Sequence, residues 1–278
     1  MPKRKSRTPY LLTLHRHRPL AMWLLALFVV LIAALNATRL APSFQWAWVG
    51  TLVLVIVSLM IVGGAVNGRL EGVLIDSRNR VSLSKFQMAL WTVVVISALI
   101  TGVSLNIFYK TNSPLNITLR PELLFAMGIS AGSFVATPTL LGLKADQAGS
   151  TTSLEATSER LNLSADETSA TGRVFKLNSP QLASWTDMFR GDDVANAASA
   201  DLSKVQQFAI TLLLIGVYCA DLWASFSEKD FHEMPFLSQS FVMLMGISHA
   251  SYLAYKAAPH GTPKTEDDGR DPRLNAVG

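Results

Sequence analysis

Six long apolar blocks restrict this chain more than any other feature, because about 20 mostly apolar residues are what a helix needs to cross the hydrocarbon core of a bilayer. They fall at residues 20–37, 46–66, 86–109, 123–143, 205–226 and 236–255. In lipid every backbone N–H and C=O must be satisfied within the chain, so blocks of this kind fold as helices. The expected fold class is an all-α membrane protein with six transmembrane helices. Only 16% of the 278 residues are charged, against about 25% in soluble globular domains. The first block follows basic residues, as in a signal peptide. It is longer than the usual 7–15 apolar residues and further spans follow, so it is read as retained. The single cysteine, Cys219, excludes an intramolecular disulfide framework and lies within an apolar block.

Basic residues set the orientation. Twenty of the 24 lysines and arginines lie before the first span, between spans two and three, around the long connection after span four, or beyond the last span. Arg39, Lys110, Arg120 and Lys229 are alone on the other side. The excess marks the cytoplasmic face, which places both termini in the cytoplasm, with a bacterial inner membrane as the expected location. The net charge of +4 then reflects topology and contact with the lipid bilayer, and nucleic acid is not an expected partner.

Composition divides the chain further. Residues 1–19 form a basic cytoplasmic N-terminus, 20–66 a transmembrane hairpin, 67–144 spans three and four, 201–257 spans five and six, and 258–278 a disordered tail. Between them, residues 145–200 begin with a stretch rich in Ser, Thr, Ala and acidic residues and nearly free of aromatics. Such a stretch buries too little apolar surface to offset its ordering entropy, and a flexible linker is expected. Within 181–194, Leu182, Trp185, Met188 and Phe189 share one helical face. That amphipathic segment either docks on the membrane or a soluble cytoplasmic partner, or packs on this chain's own loop.

An internal repeat is the most specific pattern. Leu83-Ser84-Lys85-Phe86-Gln87 precedes span three and Leu202-Ser203-Lys204-Val205-Gln206 precedes span five, with Thr92 and Thr211 eight residues after each serine. Span four carries Met127-Gly128-Ile129-Ser130 and Ser133, and span six carries Met245-Gly246-Ile247-Ser248 and Ser251. The blocks stand 44 residues apart in the first unit (Ser84 to Gly128) and 43 in the second (Ser203 to Gly246). Each unit holds two spans and so enters the membrane from the same face, giving a parallel two-helix repeat after an N-terminal hairpin. Ser-x-x-Gln before an apolar run reads as a capping box, with Lys85 and Lys204 reaching the headgroups. Alternatively, Gln87 and Gln206 face a polar pathway. Gly128 with Gly132, and Gly246 with Ala250, have the small-x-x-x-small spacing that brings membrane helices close.

Ionisable groups inside spans are the usual functional candidates, because they are expensive there. His249, next to Ser248, is the clearest, either as an interhelical hydrogen-bonding group or as a ligand. With Ser251, Ser130, Ser133, Gln87 and Gln206 it makes up a candidate polar pathway. No catalytic constellation, metal-ligand spacing or phosphate-cradling glycine loop is present, so no cofactor or metal is expected. The expected function is non-enzymatic: a homo-oligomeric channel or small-solute pathway. The rival reading is a membrane scaffold that recruits a soluble partner through Trp185 and Phe189. An ion-coupled transporter ranks below both, because so few charges are buried in the spans.

Overall fold

The computed structural model describes residues 10–37, 43–258 and 260. The basic segment 1–9 and the tail beyond residue 258, apart from His260, lie outside the described residues. Among those described, the chain is mostly helical, with seven α-helices and one small hairpin: α1 (Tyr10–Ala37), α2 (Phe44–Asn67), α3 (Leu83–Phe108), α4 (Pro121–Ala145), α5 (Thr151–Arg160), β1 (Thr168–Thr171), β2 (Val174–Leu177), α6 (Leu202–Ser225) and α7 (Gln239–Ala257). Four helices, α2, α3, α4 and α6, are long and apolar enough to cross a membrane. α1 adds a shorter apolar segment, Ala21–Asn36, and α7 has 19 residues.

The centre of the bundle is α3, which packs on α1, α2, α4 and α6, while α7 packs on α4 and α6. Its buried face, Trp91, Val94, Val95, Ala98 and Leu105, joins Leu123 and Ala126 of α4, Leu214, Tyr218 and Leu222 of α6, and Met245 of α7 in one apolar core. α2 ends where Gly68 takes a left-handed conformation (φ 70°) and returns its N–H to Gly64 O. The chain then folds straight back, so closely that a Cβ on Gly63 would lie 2.7 Å from Leu70 O and one on Gly72 would collide with the Gly63 carbonyl. Only glycine fits this reversal. Next comes a tight turn in which the Asp76 carboxylate accepts the N–H groups of Arg78 and Arg80 while Asn79 takes φ 59°, a conformation asparagine tolerates.

At the far end of the bundle the two long loops lock together. Asn106 bonds Phe231 through both side-chain atoms (2.9 and 2.7 Å), and Thr118 exchanges backbone bonds with His232 and Met234. At the opposite end, residues 145–201 form a folded cap, which corrects the expected flexible linker. Ser150 caps α5 by accepting from Ser153 N. The hairpin pairs Thr168 with Leu177 through Thr171 with Val174. A small core of Phe175, Leu177, Val194 and Ala197 closes over Leu154, Leu161, Leu163 and Leu182. The low apolar content misled because side-chain hydrogen bonds supply much of the order. Asn178 donates to the carbonyls of Asp166 and Thr168, Thr157 to that of Val194, and Ser158 meets Thr168 at 2.8 Å.

Candidate functional site

The last loop of the cap delivers two adjacent carboxylates, Asp192 and Asp193, to the ends of the helices. Asp192 is buried and faces four cations. Arg78 Nη1 and Lys204 Nζ reach Oδ1 at 2.6 and 3.0 Å, Lys256 Nζ reaches Oδ2 at 2.8 Å, and Arg80 Nη1 stands 4.0 Å away. Lys204 comes from the first turn of α6, Lys256 from the last turn of α7, and the arginines from the turn before α3. Asp193 takes Lys144, in the last turn of α4, at 2.8 Å and Arg173 at 3.8 Å. One network therefore ties the cap to the ends of α3, α4, α6 and α7. Buried cations are tolerated only when paired and hydrogen-bonded, and here the cap supplies the pairing. Burial pushes the Asp192 carboxyl up, but Lys204, Lys256 and the two arginines outweigh it and hold the group well below the usual carboxylate range. Burial likewise opposes ionisation of Asp76, and Arg78 overrides it.

From this cluster a file of polar side chains runs into the bundle along the seam between α4 and α7. Lys256 Nζ donates to Tyr252 Oη at 2.8 Å. That oxygen stands 3.3 Å from Ser84 Oγ and 3.4 Å from Thr137 Oγ1, which are themselves 3.0 Å apart. One helical turn deeper, Ser133 Oγ meets His249 Nδ1 at 2.6 Å. His249 Nε2 and the hydroxyls of Ser130 and Ser248 are buried without a partner among the described residues. Beside the file, Gln87 Nε2 donates to Thr211 Oγ1 at 2.7 Å, and Gln207 Nε2 donates to Gln87 Oε1 at 3.0 Å. Toward the far end the buried positions of α4 and α7 become apolar, Ala126 and Leu123 on α4 and Met245 on α7, while α3 contributes Leu105 beside the buried Thr101 and Asn106. At the cap end, a cavity of about 440 Å³ is lined by Ser84 and Thr137 of the file and by Ser82, Arg78, Lys85 and Lys176.

Comparison with protein-family models, with curated proteins and with solved structures finds no match. Among the described residues no group of three or more His, Cys, Asp or Glu side chains is placed to hold a metal ion.

The candidate pathway residues separate. His249, Ser248, Ser130, Ser133 and Gln87 are buried in the bundle, but Gln206 and Ser251 are exposed. Gln207 takes the place expected of Gln206. The cause is a rotation: buried positions 84, 87, 91, 94, 95 and 98 of α3 recur in α6 at 204, 207, 211, 214, 215 and 218. Positions 126, 130, 133 and 137 of α4 recur in α7 at 245, 249, 252 and 256. Each match lies one residue later than the sequence repeat, and one residue is about 100° of helix.

Other expectations are corrected in the same way. The first helical residue of α3 is Leu83, so Ser84 lies inside the helix and its hydroxyl goes to Thr137 and Tyr252. α6 is capped by Asp201, whose carboxylate accepts from Ser203 N and Lys204 N, so neither serine makes a capping box. Lys204 is in the ion cluster instead of reaching the headgroups. Gly128, Gly132 and Ala250 are exposed, and a Cβ at Gly128 or Gly132 would meet nothing within 4 Å. A Cβ at Gly246 would touch only Ile129 Cδ1, at 3.7 Å. The small residues therefore do not make the contact between α4 and α7 within the chain.

Leu182, Trp185, Met188 and Phe189 lie in two short 3₁₀ turns, Pro180–Leu182 and Trp185–Phe189, and not on one amphipathic helix. Met188 is buried, Phe189 packs edge-on against Phe208, and Leu182 joins the cap core. Trp185 rests against Phe86 and stays 49% exposed. The carboxylates at the centre of the cluster, Asp192 and Asp193, were missed by sequence reasoning. The available signal was a pair of acids just before a span whose flanking lysines needed a counter-charge.

Proposed function

We propose that this chain is a non-enzymatic, polytopic membrane protein in which α3, α4, α6 and α7 enclose a pathway for a small polar solute. In this reading α1 and α7 join the four long apolar helices to give six spans, with the cap and both termini in the cytoplasm of a bacterial inner membrane. One observation carries it: a buried file of hydroxyls that begins at a cavity and ends on an imidazole nitrogen without a partner among the described residues. Polar groups at that depth are expensive unless satisfied, and a hydrogen-bonding solute would satisfy them. The apolar layer of Leu105, Leu123, Ala126 and Met245 then represents the closed position. The matched buried faces favour two units related by an axis along the membrane normal. The uncovered Gly128 and Gly132 favour a homo-oligomer, since small residues let membrane helices approach.

Flux into liposomes tests this. Purified protein should raise the permeability to protons or small neutral solutes above that of protein-free liposomes, and His249→Phe should abolish the increase while the protein stays folded. No flux of any tested solute would remove the pathway reading. The scaffold reading is favoured by a different observation, the rigid attachment of the cap with Trp185 half-exposed at its rim. Co-purification from native membranes distinguishes the two. A stoichiometric soluble partner that is lost selectively from Trp185→Ala would put the scaffold first.

A further inference from the structure

The cavity at the mouth of the file has a chemistry of its own. We propose that it is a binding site for a phosphate-bearing anion, either the headgroup of an anionic phospholipid or free phosphate. This depends on the membrane location of α4 but not on the pathway reading, since it concerns binding and not flux.

Four observations converge. First, Lys85 and Lys176 both line the cavity, and neither has a carboxylate within ion-pair distance among the described residues. Among the described residues the ammonium group of Lys85 bonds only the carbonyl of Ile75, at 2.7 Å. Second, the first-turn N–H groups of Leu83, Ser84 and Lys85 have no acceptor among the described residues, so the start of a 26-residue helix faces an uncapped region of positive potential. Third, Ser82 is only 6% exposed, lines the cavity, and its hydroxyl makes no hydrogen bond among the described residues. Fourth, Asp76 is the one acidic side chain in the lining, and Arg78 neutralises it at 2.7 Å. An anion would thus meet two unpaired ammonium groups, an unused hydroxyl and open backbone donors, with no free carboxylate to repel it.

The opposite wall is apolar. Phe134, Pro138 and Leu141 of α4 supply it, on a helix long enough to cross the bilayer. A phospholipid could lay its acyl chains along that wall with its phosphate among the lysines. Free phosphate would use only the polar half.

Full-length protein would be placed in nanodiscs of phosphatidylcholine with and without phosphatidylglycerol, and retained lipid read by native mass spectrometry. A parallel arm would titrate inorganic phosphate against detergent-solubilised protein and read the thermal unfolding midpoint. The comparison variants are Lys176→Gln, which breaks no ion pair or side-chain hydrogen bond among the described residues, and Lys85→Gln with Lys176→Gln. Selective retention of phosphatidylglycerol, reduced about tenfold in the double variant, identifies a headgroup site. A phosphate-dependent rise in midpoint, lost in the variants and without selective lipid retention, identifies free phosphate as the ligand. If the folded variants match the wild type in both arms, or the wild type shows neither effect, the proposal is overturned.

Discussion

Replacing Asp192 with Asn tests whether the cap is held by charge. The substitution keeps the shape of the side chain but removes the negative charge that faces Arg78, Lys204 and Lys256 at 2.6–3.0 Å. All three cations are nearly inaccessible, and among the described residues Asp192 is the only carboxylate paired with either lysine. Breaking a buried ion pair by removing one partner costs about 3–5 kcal/mol, because the remaining charge is stranded. For a protein of this size each kcal/mol moves the unfolding midpoint by about 2–4 °C, so a fall of roughly 10 °C is expected. The internal comparison is Glu233→Gln. Its partner Arg120 stands 2.6 Å away, but the pair is about 40% exposed and should contribute at most about 1 kcal/mol. Thermal unfolding of both variants in the same detergent gives the result. Equal, small effects would refute the idea that the cluster organises this end of the molecule.

The cluster also fixes a pH dependence. Asp192 and Asp76 are held below the ordinary carboxylate value of 3.8. A depressed folded-state pKa gives stability that is present above the unfolded value and lost as pH falls through the folded one. The contribution of these two carboxylates should therefore stay level from neutrality to about pH 5 and be lost below about pH 4. In Asp192→Asn that acid limb should be shallower.

Three further outcomes follow from the geometry. Gly72→Ala should destabilise by about 1–3 kcal/mol through collision with the Gly63 carbonyl, whereas Gly128→Ala, with open space around it, should be near neutral in the same unfolding assay. Asp201→Ala should cost about 1 kcal/mol as loss of the α6 cap, and more than Ser82→Ala, whose hydroxyl caps nothing; the reverse order would contradict the assigned caps. Gly128→Leu should leave protomer stability unchanged, and cross-linking in membranes should show loss of a homo-oligomer. A wild-type oligomer in that variant would free this face of any interface role.

The apolar blocks made the helical class legible, and four of them correspond to helices long enough to cross a membrane. The faces were less legible. Block matching paired Gln87 with Gln206, yet a single residue of slip carries a side chain about 100° around the helix, and Gln207 is the one that reaches Gln87. The small residues of α4 satisfied a packing motif, but the motif does not say which copy of a helix fills the groove. The cap was hidden for a different reason. Its order depends on hydrogen bonds such as Asn178 to Thr168 and on ion pairs with residues more than 100 positions away, such as Arg78 with Asp192, and no local pattern encodes those.

The slip in register also explains why the cap is needed. At matching buried positions the first unit carries Ser84, Ser133 and Thr137, and the second carries Lys204, Tyr252 and Lys256. Short hydroxyl side chains on one side thus face long side chains on the other, which fills the space between the units and brings Tyr252 onto Ser84 and Thr137. The same exchange buries two ammonium groups at the end of the bundle. Their charge cannot be met from α3 or α4, whose matching residues are neutral. It is met by Asp192, from a loop that is held in place because Phe175 and Val194 pack beneath it and Arg78 grips it from the turn before α3. In the repeat reading proposed above, the exchange of side chains and the folded cap are one physical solution, and a variant that made α6 and α7 resemble α3 and α4, Lys204→Ser with Lys256→Thr, should loosen the cap even though it removes buried charge.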